Sequence, residues 1–167
     1  ALQAAVSGGV NAGTTIRGAI DDEQCTRGVL VVSSKALARN ASAMFTLLHE
    51  TLLAPRFDEL QRLRELLSQM RARRDQSITG SGHSLAMAAA SSRMSPAALL
   101  SHNLSGLEGI RRTRALEKAL QSDDELQQFA ARLAQLHEAI ATAPRQLLLI
   151  ADPAHEDDAT QALADCW

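Results

Sequence analysis

The spacing of apolar positions changes along the chain. It is close to two near the start, 3.6 over most of the length, and a continuous apolar run near the end. Val6 to Ile16 alternates loosely and carries Gly8, Gly9 and Gly13, which predicts an irregular strand with bends or bulges. Gly28 to Ser34 is compact and β-branched and predicts a second strand. Asp21-Asp22-Glu23 reads as a turn, and the two runs are close enough to form an antiparallel pair. Residues Ala1 to Val6 read like a strand entered midway.

Helical spacing follows. From about Asn40 to Ala54, residues Ala41, Met44, Phe45, Leu48 and Leu52 fall on one face, and Pro55 ends the helix. Asp58 is placed to cap a second helix that runs to about Gln76, roughly 28 Å long, with Leu60, Leu63, Leu67 and Met70 as its buried stripe. Gly80-Ser81-Gly82 breaks that pattern, and His83 to Ser92 is Ala-rich and helical. Ser95-Pro96 pairs a cap with proline at the first helical position. Gly106 and Gly109 flank a turn into a helix ending near Leu120.

Ser122-Asp123-Asp124-Glu125 has the form of a capping box. It opens a helix on which Leu126, Phe129, Ala130, Leu133, Leu136 and Ile140 share a face, ended by Pro144. Gln146 to Ala151 reads as a buried strand closed by Asp152-Pro153, and His155 to Asp165 as a last helix. The order is strand, strand, several helices, strand, helix. It predicts an α+β domain over residues 1–167, a small, mainly antiparallel sheet with several helices packed on one face.

Composition narrows the function classes. The 167 residues are 46% hydrophobic, which suits a globular core, and the formal net charge of −2 gives no bias toward nucleic acid or acidic lipid. Aromatics are 2%, only Phe45, Phe57, Phe129 and Trp167, which leaves little for base stacking or sugar platforms. Cys25 and Cys166 lie far apart and read as free thiols of a reducing compartment, with a bridge between them left open. No apolar run approaches the ~20 residues of a membrane helix. The absence of an initial Met or a signal-like start, and the uncapped end at Trp167, suit a piece excised from a longer chain, and the expected location is cytoplasmic.

Candidate chemistry is sparse. A helical zinc site needs two His four apart with Glu beside one of them. His49-Glu50-Thr51-Leu52-Leu53 and His137-Glu138-Ala139-Ile140-Ala141 both begin that way and lack the second His. His83, His102 and His155 are dispersed, so no metal ligand is assigned. Gly80-Ser81-Gly82-His83-Ser84 is not a nucleophile elbow, and its plain reading is a turn with Ser81 capping the next helix. A hydrolase using Ser81 or Ser84 with His83 is the less favoured reading. Gly8-Gly9-Val10-Asn11-Ala12-Gly13 lacks the Lys-Ser/Thr of a phosphate loop.

Arg62, Arg64, Arg71, Arg73 and Arg74 share the helix over 58–76, interleaved with Asp58, Glu59, Glu65 and Asp75. Asp58–Arg62 and Arg71–Asp75 stand at i,i+4 spacing. A solvated face is the default; a guanidinium-dependent interface with another domain or an acidic peptide is the alternative. The shorter cluster Arg111-Arg112-Thr113-Arg114 reads as helix surface.

Taken together, Ser7-Gly8-Gly9-Val10, the passage from Leu37 to Leu53 with Pro55-Arg56-Phe57-Asp58 and Arg62-Leu63, the Ser77 to Ser92 passage with its Ser-Gly-His-x-x-Ala, and Ser95 through Gly109-Ile110 resemble the pitrilysin/insulinase zinc metallopeptidases. The resemblance is to their presequence-protease subfamily, extends over roughly Ser7 to Pro153, and points to the third of four similar α+β domains. It implies two halves closing around a chamber in which peptides are cut. It places the inverted zinc motif in the first domain, and an assisting Arg and Tyr in the fourth.

No Tyr occurs in this chain, and no catalytic residue of the family carries over to any position. The implied role is a non-catalytic, chamber-forming domain, with no cofactor of its own and zinc in the parent enzyme. Its implied partners are the other domains of that parent and, through them, the peptide substrate. Neither nucleic acid nor membrane is expected as a partner, and a face left open by missing domains would favour self-association. The alternative is an autonomous protein–protein interaction module using the Arg-rich helix 58–76.

Overall fold

The computed structural model describes residues 5–167. The strand-like reading of Ala1 to Ala4 lies outside the described residues, and Ala5 and Val6 are helical. The architecture is α+β: a two-stranded antiparallel sheet and seven α-helices among the described residues.

The hairpin joins β1 (Val10–Gly18) to β2 (Thr26–Ser34). Its turn is closed by Asp22, whose carbonyl accepts from Cys25 N (3.1 Å) and whose carboxylate accepts from Gln24 N (2.9 Å). At the other end Gly8 N donates to the Lys35 carbonyl at 2.8 Å, and Ser34 Oγ donates to the Gly9 carbonyl at 2.9 Å. Gly9 has φ 105°, a conformation that favours glycine, so the bend expected in the glycine-rich run sits just before β1.

The helices are α1 (Ala41–Leu53), α2 (Leu60–Gly80), α3 (Gly82–Ser91), α4 (Pro96–Ser105), α5 (Leu107–Ala119), α6 (Asp123–Ala141) and α7 (Glu156–Cys166). None is long and apolar enough to cross a membrane. Ser95 caps α4 as its sequence predicts, accepting from Ala98 N at 3.2 Å with Pro96 in the first turn. Two other caps differ. The second helix starts at Leu60, with Glu59 flanking it, and not at Asp58. Ser81 precedes α3, but its side chain makes no capping hydrogen bond; its carbonyl instead accepts from Leu85 N at 2.9 Å. Gly109 lies inside the first turn of α5 and not in the turn before it.

The chain divides into two compact units. In the first (residues 5–14, Leu30–Arg56 and His137–Trp167), α1 lies against α7, and Met44, Phe45 and Ala159 are buried. Cys25 and Cys166 are both free, and Thr46 Oγ1 stands 3.8 Å from Cys166 Sγ. In the second unit (Thr15–Val29 and Phe57–Leu136), α5 packs against both α2 and α4, and α3 against α4. Its core is Leu67, Leu120 and Leu126, with Leu60, Leu63, Leu116 and Phe129 packed around them.

Two expectations about burial are corrected. Met70, placed in the buried stripe of α2, is exposed, because the stripe turns over to polar contacts beyond Leu67. On α6 the face is buried at Leu126 and Ala130, but Leu136 and Ile140 are exposed. The strand expected over Gln146 to Ala151 is also absent. Residues 144–152 form neither helix nor ladder, with Leu147, Leu148 and Ile150 exposed. The apolar run has strand composition, but a strand requires a neighbour to take its backbone groups, and among the described residues β1 and β2 pair only with each other.

Candidate functional site

The densest polar constellation lies where α2 meets α5. On α2, Arg64, Leu67, Arg71 and Arg74 recur at spacings of three and four, which puts the guanidinium groups in phase with the buried leucine. On α5, Gly109, Thr113, Leu116 and Leu120 repeat in the same way and face them. The partners ascend on one helix as they descend on the other, so the two helices run antiparallel.

At one end, Arg74 Nη1 donates to the Gly109 carbonyl (3.0 Å) and to Thr113 Oγ1 (2.7 Å). Thr113 is only 5% exposed, and its hydroxyl donates to the same carbonyl at 2.8 Å. In the middle, Arg71 Nε lies 2.9 Å from Asp75 Oδ2 and 3.6 Å from Glu117 Oε2, at angles that make ion pairs and not hydrogen bonds. Arg114 Nε reaches Asp75 Oδ1 at 2.8 Å. At the other end, Arg64 donates through Nε to the Leu120 carbonyl (3.1 Å), and through Nη2 to the Gln121 carbonyl (3.4 Å) and Asp123 Oδ1 (2.8 Å). A guanidinium thus covers free carbonyls at the end of α5 while pairing with an acid in the first turn of α6, both favoured by the helix dipoles.

The corner before α5 makes this approach possible. A Cβ at Gly109 would sit 2.4 Å from the Leu104 carbonyl oxygen, and one at Gly106 would sit 2.7 Å from His102 Nδ1. Only glycine lets the start of α5 lie against the end of α4. His102 Nδ1 is buried there with no hydrogen-bond partner. Beside the corner, Glu108 accepts from Arg111 Nε and Nη2 (both 2.8 Å) and from Arg112 Nε (3.0 Å). Hydrogen bonds from those two arginines hold its carboxyl below the ordinary value of 4.5, at about 2, and raise the Arg111 pKa in return.

The arginine helix is therefore neither a wholly solvated face nor a wholly free binding surface. Arg64, Arg71 and Arg74 are half-buried and engaged within the unit, Arg62 pairs with Glu65 at 3.2 Å, and Arg73 is exposed. The phase shared with Leu67 is the signal that separates the engaged arginines from the others. Of the predicted i,i+4 pairs, Arg71–Asp75 forms. The cluster at 111–114 divides in the same way, into Arg111 and Arg112 on Glu108 and Arg114 on Asp75.

Ser81, His83 and Ser84 all lie at the start of α3, and neither serine is hydrogen-bonded to His83 among the described residues. His49 packs edge-on against Trp167 with ring centroids 5.0 Å apart. Among the described residues no group of three or more His, Cys, Asp or Glu comes together to hold a metal ion, so the residues present do not fit zinc. Two shallow clefts, of about 300 and 400 Å³, are lined by Leu149, Ile150, Ala151, Glu156 and Thr160, and by Glu59 to Arg62 with Glu65. Neither gathers a nucleophile with a base.

Comparison with known proteins matches residues 1–116 to a peptidase-associated family, the region associated with peptidases of group M, family 16, subfamily C. The chain is 31% identical over 112 residues to "Presequence protease 1, chloroplastic/mitochondrial" of Arabidopsis thaliana, covering 67% of this chain and 10% of that protein. It is 34% identical over 82 residues to "Presequence protease, mitochondrial" of Danio rerio, covering 49% of this chain and 8% of that protein. The chain spans about a tenth of the length of these curated relatives.

Proposed function

Because the chain belongs to this peptidase-associated family, we propose that it is a non-catalytic, chamber-forming part of a zinc-dependent metalloendopeptidase that degrades peptides. The metal and the cutting residues lie elsewhere in the parent protein, and the partners of this region are the parent's other domains. One observation carries the reading. The side chains in the matched region with the most elaborate chemistry, Arg64, Arg71, Arg74, Glu108 and Thr113, are engaged in joining helices to one another. Gly106 and Gly109 serve the same joint by letting backbones approach. A wall segment needs this kind of rigidity, whereas an active site needs groups converging on open space.

The test is direct. The protein is incubated with a quenched peptide substrate, with and without added zinc. No hydrolysis is expected in either condition. Hydrolysis that disappears on chelation would overturn the reading. A second check is the surrounding open reading frame, which should encode a His-x-x-Glu-His motif upstream.

A further inference from the structure

We propose that residues 144–153 form a self-complementary edge through which two copies of this chain pair as antiparallel strands. The segment reads Pro144-Arg145-Gln146-Leu147-Leu148-Leu149-Ile150-Ala151-Asp152-Pro153. Folded back on a second copy about its midpoint, it places Pro144 opposite Pro153, Arg145 opposite Asp152, Gln146 opposite Ala151, Leu147 opposite Ile150, and Leu148 opposite Leu149. Such a pairing is isologous, so every contact occurs twice. Both ends then carry opposite charges face to face, and the four central positions are apolar on both strands.

The structure leaves this edge available. Residues 144–152 belong to no helix or ladder, and Leu148 and Ile150 are each 87% exposed. Asp152 is extended, with φ −65° and ψ 138°. The prolines limit the ladder to the residues between them, since neither can donate a backbone hydrogen bond. They also disfavour slipped registers: a shift of two residues sets a leucine opposite Asp152 and leaves the charges unmatched. The end groups keep capacity for a partner. Asp152 Oδ1 accepts from Ala154 N, which leaves Oδ2. Arg145 donates from Nη2 to the Ala141 carbonyl and lies 5.5 Å over the Trp167 ring, which leaves further N–H groups of its five. So short a strand pair is a weak interface, populated at high protein concentration.

The charge pairing gives a diagnostic. Arg145→Glu alone sets acid against acid at both ends of the pair, and Asp152→Arg alone sets base against base. Mixed one to one, the two variants restore two opposite-charge pairs in a heterodimer. Sedimentation velocity over a concentration series should show self-association of the unsubstituted chain, weakened about tenfold or more in each single variant. The mixture should recover it. Amide hydrogen exchange on the unsubstituted chain is the independent readout, with protection of residues 147–150 rising with concentration. Three results would each overturn the proposal: a monomer throughout the series, association equally strong in both single variants, or a mixture no stronger than its components. The second of these would point to another apolar face, such as that carrying Met87, Met94 and Leu99.

Discussion

Arg74 and Thr113 meet at 2.7 Å across the joint between α2 and α5, guanidinium Nη1 to hydroxyl oxygen. Both also donate to the carbonyl of Gly109, so three groups from two helices close a single polar triangle. Thr113→Val keeps the shape of the side chain and removes the hydroxyl. It leaves the arginine short of an acceptor in a half-buried place. The expected loss is about 1–3 kcal/mol, read as a lower urea midpoint at unchanged slope. Thr113→Ser should recover most of it. In a double-mutant cycle, Arg74→Ala and Thr113→Val should fail to add by about 0.5–3 kcal/mol.

The two helical glycines Gly80 and Gly109 should respond in opposite directions. A methyl group at Gly80 meets nothing within 4 Å, so Gly80→Ala should stabilise by about 0.4–1 kcal/mol, through the unfolded state. At Gly109 the same methyl group lands 2.4 Å from a backbone oxygen that has no rotamer to escape into. Gly109→Ala should cost about 1–3 kcal/mol or more. Thermal unfolding of the two variants side by side decides it.

The contrast shows what sequence could and could not convey. Helical spacing located α1 and α6 to within about a residue, since Met44, Phe45, Leu126 and Ala130 repeat with the helix period and are buried. Ser95-Pro96 announced α4 because a cap and a fixed φ are local properties. The arginines of α2 could not be sorted by local rules, because their partners Gly109, Thr113, Glu117 and Asp123 lie 35 to 59 residues away. Gly109 was legible as a special position but not as a contact, since what forbids a side chain there is the Leu104 carbonyl. The run Gln146 to Ala151 shows the converse limit: its composition is that of a strand, yet pairing depends on what lies beside it.

Core truncations should trace where the packing of α6 ends. Leu126 is 1% exposed, and Leu126→Ala should cost about 2–5 kcal/mol. Leu136, 60% exposed on the same helix, should tolerate alanine to within about 0.5 kcal/mol. Equal losses at both sites would mean that Leu136 is covered in solution.

Acid should weaken the start of α5 through Glu108. Its carboxyl titrates near 2 when folded, against an ordinary 4.5, because Arg111 and Arg112 hold the charged form. A depressed carboxylate contributes stability that is fully present above about pH 4.5 and is lost as pH falls toward 2. Glu108→Gln should therefore lower stability at pH 7 and flatten its decline over that window. Because the group is exposed, the difference should shrink in high salt. The carboxyl carbon of Glu108, followed by NMR, should titrate well below the other glutamates.

Trp167, edge-on to His49 and under the guanidinium of Arg145, is the single indole in a chain without tyrosine. Its emission is thus a private channel for the unit built from α1 and α7, while the helices from α2 to α5 are spectroscopically silent. Set against far-ultraviolet circular dichroism, which sums every helix, the two signals can separate the melting of one unit from that of the other without any label.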